Sequence, residues 1–139
     1  MKNQVRSLVI SIGLSAVFAS SAIVAQDSQK ETANVPFSFH VKDTTLPAGK
    51  YTVKALNLAG VIQISDAQTG HSIMLMTRGR ETDKEDGPRL TFQRYGNEYF
   101  LSKVWMPGKD GYALGQSARE KELAKQPGLV ASAVRIQAE

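Results

Sequence analysis

Two histidines, His40 and His71, are the side chains in this sequence with the widest choice of chemistry. An imidazole serves as a general base or as a metal ligand, so a hydrolase-type enzyme using His40 or His71 is one hypothesis. Such catalysis also needs a positioned hydroxyl or thiol, yet no serine lies in a G-x-S-x-G elbow and cysteine is absent. A metal site built from both histidines with Asp43 or Asp66 lacks any short ligand spacing. We therefore predict no catalytic residue, no metal and no cofactor.

An acidic cluster, Glu81, Asp83, Glu85 and Asp86, raises the possibility of a calcium loop. Its spacing departs from the EF-hand pattern, in which oxygen ligands alternate along the loop and a glutamate closes it. Neighbouring arginines and a lysine also neutralise the cluster. We predict that the whole segment, residues 78–89, is a solvated loop or the tip of a long hairpin.

Aromatic residues are frequent between residues 92 and 112, and most aromatic side chains in a small β-protein belong to the core. Trp105 is the exception we single out, because it precedes the turn sequence MPGKDG, where a ring is easily offered to a partner. Arg94 is expected to face Tyr99 across a hairpin as a cation–π or packing pair. The candidate binding residues are Trp105, Tyr95, Arg94 and Tyr99, with segment 78–89 beside them.

Alternation of apolar and polar residues predicts the strands that hold these side chains. In VPFSFHV, residues 35–41, the two phenylalanines fall on one face and His40 on the other, with Pro36 at the strand start or on a sheet edge. KDTTLPAGK is a connection, and a second strand follows with Tyr51 on its inner face. VIQIS and HSIMLMT are the third and fourth strands, and residues 26–34 are a flexible lead-in.

The register of one hairpin follows from its turn, because Gly96 and Asn97 form a two-residue loop of the kind that favours primed turns. The predicted cross-strand pairs are Tyr95 with Glu98, Arg94 with Tyr99, Gln93 with Phe100, and Phe92 with Leu101. The residues expected on one face are Leu90, Phe92, Tyr99, Leu101 and Trp105, and those on the other are Phe100 and Val104. Both faces are apolar, so another element must cover the second face.

Two downstream segments are candidates for that cover. Ser117 followed by Glu120 is a capping-box pattern and predicts a short helix over residues 118–125, ended by the sequence Pro-Gly. LVASAVRIQ, residues 129–137, reads as a last strand that closes the sheet. The predicted fold is all-β, a small antiparallel β-sandwich or barrel of six to seven strands with one short C-terminal helix. Residues 35–139 form a single β-rich domain.

The N-terminal segment has the pattern of a secretory signal peptide. Lys2 and Arg6 precede the apolar run LVISIGLSAVFA, and small residues follow, so cleavage after Ala22 or Ala25 is expected and residues 1–25 are assigned to the signal. An uncleaved membrane anchor is the alternative. After cleavage we expect no membrane span and a periplasmic or extracellular protein.

Composition restricts the classes of partner. The 139 residues carry 17 Lys and Arg against 13 Asp and Glu, and loss of Lys2 and Arg6 with the signal reduces the net charge from +4 to +2. Nucleic-acid binding calls for a concentrated basic face, so a nucleic acid is not expected as a partner. Because the chain has no cysteine, packing alone must stabilise it after export.

Four motifs together resemble a family of uncharacterised small exported bacterial proteins, whose shared pattern is VPFxF, LPAGxYxV, RYGxxYFLxxVW and a short charged helix. Here they read VPFSF, LPAGKYTV, RYGNEYFLSKVW and REKELAK, and they span nearly all of the chain after the signal. The resemblance implies an exported β-rich domain and no catalytic residues to transfer.

The sequence favours a non-enzymatic β-domain that acts as a binding or envelope-associated structural module, with an unknown envelope or extracellular ligand or protein as its partner. The enzyme that uses His40 or His71 is one alternative. An assembly subunit that exchanges its C-terminal strand with a neighbour's sheet edge is another.

Overall fold

A computed structural model describes residues 29–56, 60–82, 87–108 and 110–139. The predicted signal, residues 1–25, and residues 83–86 of the charged segment lie outside the described residues. The described elements are β1 (Lys30–Val35), β2 (Phe39–Val41), β3 (Thr44–Leu46), β4 (Gly49–Ala55), β5 (Val61–Asp66), β6 (Ser72–Met76), β7 (Gly79–Thr82), β8 (Arg89–Tyr95), β9 (Glu98–Trp105), β10 (Asp110–Ala113), α1 (Ala118–Ala124) and β11 (Ser132–Gln137). The predicted all-β class with a short C-terminal helix is confirmed, although the described strands number eleven, more than the six or seven predicted.

The strands form two sheets that pack face to face. The first sheet has the order β1-β4-β5-β6 and is antiparallel throughout. The second sheet has the order β11-β8-β9-β10-β7, with β2 parallel to β9 and β3 antiparallel to β2. The main core between the sheets consists of Ala33, Val35, Phe39, Val41, Tyr51, Val53, Ala55, Ile62, Ile64, Leu75, Leu90, Phe92, Leu101, Val104 and Met106. The arrangement is a β-sandwich whose stability comes from burial of these apolar side chains.

The two sheets are joined at one side of the sandwich by the end of the chain. Ala33 of β1 forms an antiparallel bridge with Ala138 just after β11. The backbone N–H of Thr32 donates to the carbonyl of Glu139 at 2.7 Å, and the N–H of Glu139 donates to the carbonyl of Thr32 at 2.8 Å. This edge of the first sheet is therefore closed by pairing within the chain.

The strands of the first sheet have the predicted alternation, and one face of each is buried. Tyr51 and Val53 of β4 are almost fully buried, as are Ile62 and Ile64 of β5. In β6, Leu75 is buried whereas Met74 and Met76 are 68% and 72% exposed. The two phenylalanines of the VPFSF motif also point inward. Phe39 is 1% exposed, and half-buried Phe37 packs against the core.

The predicted single strand over residues 35–41 is two strands that belong to different sheets. β1 ends at Val35, and Pro36, which has no N–H to donate, lies directly after it. β2 then begins at Phe39 and pairs with the second sheet. The chain crosses the sandwich over residues 36–38, which is how one short motif contributes to both sheets.

Two segments predicted to be irregular contain strands. The prediction of a flexible lead-in over residues 26–34 is wrong for its second half, because Lys30–Val35 pairs with β4 over its whole length; residues 26–28 are outside the described part. Glu31 occupies an inward position where an apolar residue is expected. The alternation of apolar and polar residues that indicates a strand is therefore interrupted. The connection before β4 contains β3, which forms a small hairpin with β2.

The charged segment 78–89 is likewise more regular than predicted. Gly79–Thr82 forms β7 and pairs with β10, and Tyr112 lies opposite Arg80. Arg80 also forms an ion pair with Asp110, and Lys103 Nζ lies 2.6 Å from Glu81 Oε2. These ladder bonds and ion pairs order the first part of the segment.

The β8–β9 hairpin has the predicted register near its turn and departs from it farther along. All four predicted pairs, from Tyr95–Glu98 to Phe92–Leu101, are present. Between Thr91 and Phe92 the register shifts, so that Thr91 faces Lys103 and β9 carries an extra residue, Ser102. The bulge reverses the alternation beyond it. Val104 therefore belongs to the main core and Trp105 to the opposite face, contrary to the face prediction for both.

The second apolar face of the β8–β9 hairpin, which points away from the main core, is covered by α1 as predicted. Leu123 packs with Tyr95 and Phe100 in a second buried cluster, which Leu129 borders. Ser117 is the N-cap, and its Oγ accepts a hydrogen bond from the Glu120 N–H at 3.1 Å, as the capping box predicts. No helix in the described ranges combines the length and apolar character needed to cross a membrane.

Replacing Ser117 with alanine should lower the free energy of unfolding by about 1 kcal/mol, because the Glu120 N–H loses its partner at a buried helix start. Urea unfolding followed by circular dichroism measures the change. Ser132→Ala, at an exposed position of β11, is the control and should change the free energy of unfolding little. Equal stabilities for Ser117→Ala and the wild type would show that the cap contributes nothing.

Candidate binding groove

Two of the predicted binding residues form a cross-strand pair on the hairpin. The Arg94 guanidinium carbon lies 5.5 Å from the centre of the Tyr99 ring, which confirms the predicted cation–π contact. Arg94 Nε donates to the Gly96 carbonyl at 2.7 Å, and Tyr99 stacks on Phe37 with ring centres 3.8 Å apart. These contacts tie the turn to the hairpin and the hairpin to the VPFSF motif.

The other two predicted binding residues are buried. Tyr95 is 6% exposed and lies beneath α1, where burial raises the pKa of its hydroxyl. Trp105 is 7% exposed and lies at the far end of the hairpin, with the Arg89 guanidinium carbon 4.6 Å from the ring centre. Trp105 is therefore not offered to a partner at a strand end as its sequence context suggested. The four residues lie on two faces of the hairpin and do not form one surface.

His40 links the β2–β3 hairpin to β9. Its ring stacks on Phe100 with centres 4.6 Å apart, and a 3.1 Å hydrogen bond joins its Nδ1 to the Thr45 hydroxyl. Its Nε2 lies 3.6 Å from Glu98 Oε1, and Glu98 in turn accepts two hydrogen bonds from Arg119 of α1. Each ring nitrogen thus has a neighbour with a structural role.

His71 lies in the β5–β6 connection, apart from the contacts of His40. Its backbone N–H donates to Thr69 Oγ1 at 3.3 Å, and the described residues provide no hydrogen bond from its ring to a hydroxyl or carboxylate. Nearby Asp66 uses its Oδ1 to accept the N–H groups of Gln68 and Thr69, at 2.8 and 3.3 Å. The described contacts of the His71 ring therefore include neither a nucleophile nor an orienting acid, whereas the His40 ring lies between the Thr45 hydroxyl and Glu98 on an element outside both clefts described below. In the described ranges no cluster of three metal-ligating side chains occurs.

Two clefts among the described residues lie along β6, on the side of the first sheet opposite the edge that the chain end closes. β6 is the last strand of the first sheet, and no described strand pairs with its outer side. A first cleft of about 380 Å³ lies between the start of β6 and β3. Its apolar wall consists of Leu46, Pro47, Tyr51, Ile64 and Ile73, and its polar rim of Thr44, Asp66, Thr69, His71 and Ser72.

A second cleft of about 410 Å³ lies at the other end of β6. It is bounded by Met76, Thr77 and Arg78 on one side and by Lys42 and Asp43 of the β2–β3 turn on the other. Residues 115–118, which lead into α1, complete its lining. We call the two clefts, together with the β6 edge between them, the β6 groove. One of its long walls is β6, and the opposite wall is the β2–β3 hairpin.

The two ends of the β6 groove differ in charge. At the first cleft, the backbone hydrogen bond from Gln68 is the main cause that lowers the pKa of Asp66, so this carboxylate is ionised at neutral pH. Burial, and secondarily the Asp66 charge, raises the pKa of Tyr51, whose hydroxyl donates to the Pro47 carbonyl at 2.6 Å. At the second cleft, Lys42 and Arg78 accompany Asp43, so positive charge is in excess there.

Residue types and spacing alone did not predict this groove. One signal was available: β6 reads SIMLM, a strand without charge or proline whose outward residues Met74 and Met76 are apolar. Edge strands are normally protected by charge, proline or a bulge. Without knowing the strand order, however, nothing indicated that β6 is an edge.

Comparison of the chain with protein-family models, with curated proteins and with solved structures gave no match. The fold class and the geometry of the β6 groove are therefore the observations from which a function is argued.

Proposed function

We propose that the protein is an exported, non-enzymatic β-domain that binds an envelope or extracellular ligand in the β6 groove. The observation that carries this proposal is the pair of clefts along one sheet edge, with an apolar wall in the first and charged residues at both ends. Pockets that join an apolar wall to a few polar groups are the usual form of a ligand site. The basic and apolar pattern of residues 1–25 supports export.

The groove favours binding over hydrolysis. His71 is the histidine at the groove, and the hydroxyl of Tyr51 in the same cleft is engaged by the Pro47 carbonyl. Asp66 is held by the turn that follows β5. The cleft thus offers shape and charge without a base held against a nucleophile.

Exchange of the C-terminal strand is the less favoured assembly mode. β11 pairs with β8 over six residues, and the chain end beyond it joins β1. Val134 and Ile136 also pack against the main core. Removing β11 from its own sandwich would break these contacts, whereas the β6 groove needs no rearrangement to receive a ligand.

A tryptophan at Thr44 should abolish ligand capture, because this exposed residue of β3 lines the first cleft and an indole there would fill it. Immobilised wild-type protein and Thr44→Trp are each incubated with envelope extract, and the retained components are compared. Thr45→Trp is the control on the same strand: this exposed residue does not line the cleft, and the loss of its hydrogen bond to His40 affects the β2–β3 hairpin without filling the cleft.

We expect a component that the wild type and Thr45→Trp retain and that Thr44→Trp loses. Retention of the same components by Thr44→Trp, or failure of the wild type to retain anything beyond what Thr44→Trp retains, would overturn the proposal. Thermal unfolding of all three proteins establishes that the substitutions leave the fold intact.

A further inference from the structure

We propose that the β6 groove receives an extended polypeptide segment of a partner protein, which adds to the first sheet as a strand beside β6. This inference rests on the proposed binding function and names the chemical class of its ligand. Strand addition of this kind draws affinity from main-chain hydrogen bonds and specificity from pockets for alternate side chains.

The hydrogen-bonding pattern of β6 leaves a row of backbone groups directed into the groove. The Asp66 N–H donates to the His71 carbonyl at 2.8 Å, and the Thr77 N–H donates to the Gly60 carbonyl at 2.7 Å. In an antiparallel pair the bonded residues alternate, so Ile73 and Leu75 share the pattern of His71 and Thr77 and bond to β5. The N–H and C=O groups of the intervening residues, Ser72, Met74 and Met76, therefore point away from the sheet.

Within the described residues, this edge lacks the protection that the edges of β1 and β7 have. β1, at the opposite side of the first sheet, is closed by the bridge to Ala138. β7, at the margin of the second sheet, carries Arg80 and Glu81. β6 has no charge and no proline, and it pairs with β5 in unbroken register, without a bulge. An edge left open in this way is a template for a further strand.

The shape of the groove favours a single extended chain over a second folded copy. The β2–β3 hairpin forms the wall opposite β6, and its residues Lys42, Asp43, Thr44 and Leu46 line the two clefts. A second sandwich that approached through its own β6 edge would bring its own hairpin against this wall. A segment one strand wide meets no such obstacle and can contact both β6 and β3.

Charge complementarity defines the segment further. The apolar wall of the first cleft, including Leu46 and Ile73, accepts an apolar side chain, and the ionised Asp66 beside it attracts a basic one. At the other end, Lys42 and Arg78 favour an acidic residue. The expected ligand is an extended segment with alternating apolar residues, a basic residue at one end and an acidic residue at the other.

The test selects random ten-residue peptides for binding to the wild-type protein alone and then measures the affinity of each selected peptide for Met74→Pro. Proline at position 74 removes one N–H that points into the groove and leaves the bonds between β5 and β6 in place, a substitution that edge strands accommodate. Met74→Ala is the matched control, because it removes the same side chain and keeps the N–H. Loss of this hydrogen bond should weaken peptide binding by about tenfold or more.

Hydrogen exchange of the backbone amides supplies a second measurement. In the free protein the amides of Ser72, Met74 and Met76 should exchange rapidly, and those of Ile73 and Leu75 slowly. With a selected peptide bound, the three rapid amides should become protected, while ligands held by side chains alone would leave them rapid.

The outcomes distinguish this inference from the proposed function. Peptides that bind the wild type and Met74→Ala but not Met74→Pro, and that protect the three amides, support strand addition. Selection of no peptide, equal binding to Met74→Pro, or self-association of the protein through the same edge would each overturn it. If any of these occurs while Thr44→Trp still loses its captured component, the groove binds a ligand of another class and only the present inference fails.

Discussion

The wild-type protein should be several kcal/mol less stable at pH 9 than at pH 5, and Glu31→Gln should remove most of this difference. Glu31 is 0% exposed on the inward face of β1, opposite Val53. Within the part of the chain that the structure describes, neither of its carboxylate oxygens has a hydrogen-bond partner. Burial without a partner disfavours the charged form and raises the pKa of this carboxyl from 4.5 to about 8.

The direction of the pH dependence follows from proton binding in the two states. Between pH 4.5 and about 8, Glu31 is protonated in the folded protein and ionised in the unfolded chain. The folded state therefore binds more protons, and its stability decreases as the pH rises through this window. With a folded pKa near 8, the loss between pH 5 and pH 9 is on the order of 4 kcal/mol.

Two substitutions separate the charge of Glu31 from its polarity. Glutamine has nearly the same shape and does not titrate, so Glu31→Gln should match the wild type near pH 5 and exceed its stability at pH 9. Methionine also removes the unpartnered polar atoms, and Glu31→Met should exceed Glu31→Gln by about 1–3 kcal/mol at every pH.

Urea unfolding at pH 5, 7 and 9 measures the free energy of unfolding for each protein. Glu122→Gln, which removes an exposed carboxyl of α1, is the control and should follow the wild-type curve. If Glu31→Gln and the wild type lost stability in parallel from pH 5 to pH 9, the carboxyl would be ionised in the fold and the assigned pKa would be wrong.

Local sequence patterns correctly predicted the elements whose geometry depends on only a few neighbouring residues. The two-residue turn at Gly96 and Asn97 gave four correct pairs of the β8–β9 hairpin, because register near a tight turn depends on the turn itself. The capping box at Ser117 located the helix for a similar reason. Alternation gave the two faces of β4 and β5, where the buried residues Tyr51, Val53, Ile62 and Ile64 alternate with less buried neighbours.

The errors lie where a local pattern was interrupted. Glu31 broke the alternation of β1, so that a core strand resembled a polar lead-in. The extra residue at Ser102 exchanged the faces of Val104 and Trp105, and nothing in the sequence around it marks a bulge. A single inserted residue is enough to move every following side chain to the other face of a strand.

The candidate site was missed because it depends on strand order. The sequence directed attention to aromatic and charged residues of the hairpin, two of which the fold buries. The β6 groove is formed by β6 and the β2–β3 hairpin, which are about thirty residues apart in the chain and belong to different sheets. Which strands lie at the edge of a sheet is known only after the pairing partners of all strands are known.

Trp105, which the sequence suggested as a binding residue, has a structural role in the fold. Removal of its side chain should destabilise the protein strongly. The indole contacts both strands that pair with β9. The guanidinium of Arg89 in β8 lies over the ring, and the backbone of Gly111 in β10 lies against it. Trp105→Ala should cost about 3–5 kcal/mol, as large-to-small changes of buried aromatics do. Any loss of ligand capture in this variant would then reflect unfolding rather than a lost contact.

Gly111→Ala tests the same contact from the other side. A Cβ at this position would overlap carbon atoms of the Trp105 ring, so the indole must move, at a cost of about 1–3 kcal/mol. Gly79→Ala is the matched control, since an added Cβ there meets nothing within 4 Å and the residue is an exposed part of β7. Because Trp105 is the sole tryptophan, its fluorescence should report its displacement in Gly111→Ala.

The double variant determines whether the two effects share a cause. With the indole absent, a methyl group at position 111 no longer meets an obstacle, so the combined loss of stability should be smaller than the sum of the single losses by about 1–3 kcal/mol. Urea unfolding followed by circular dichroism gives all four free energies, including those of the two variants without tryptophan. Strict additivity would mean that Gly111 is required for some reason other than close approach of the ring.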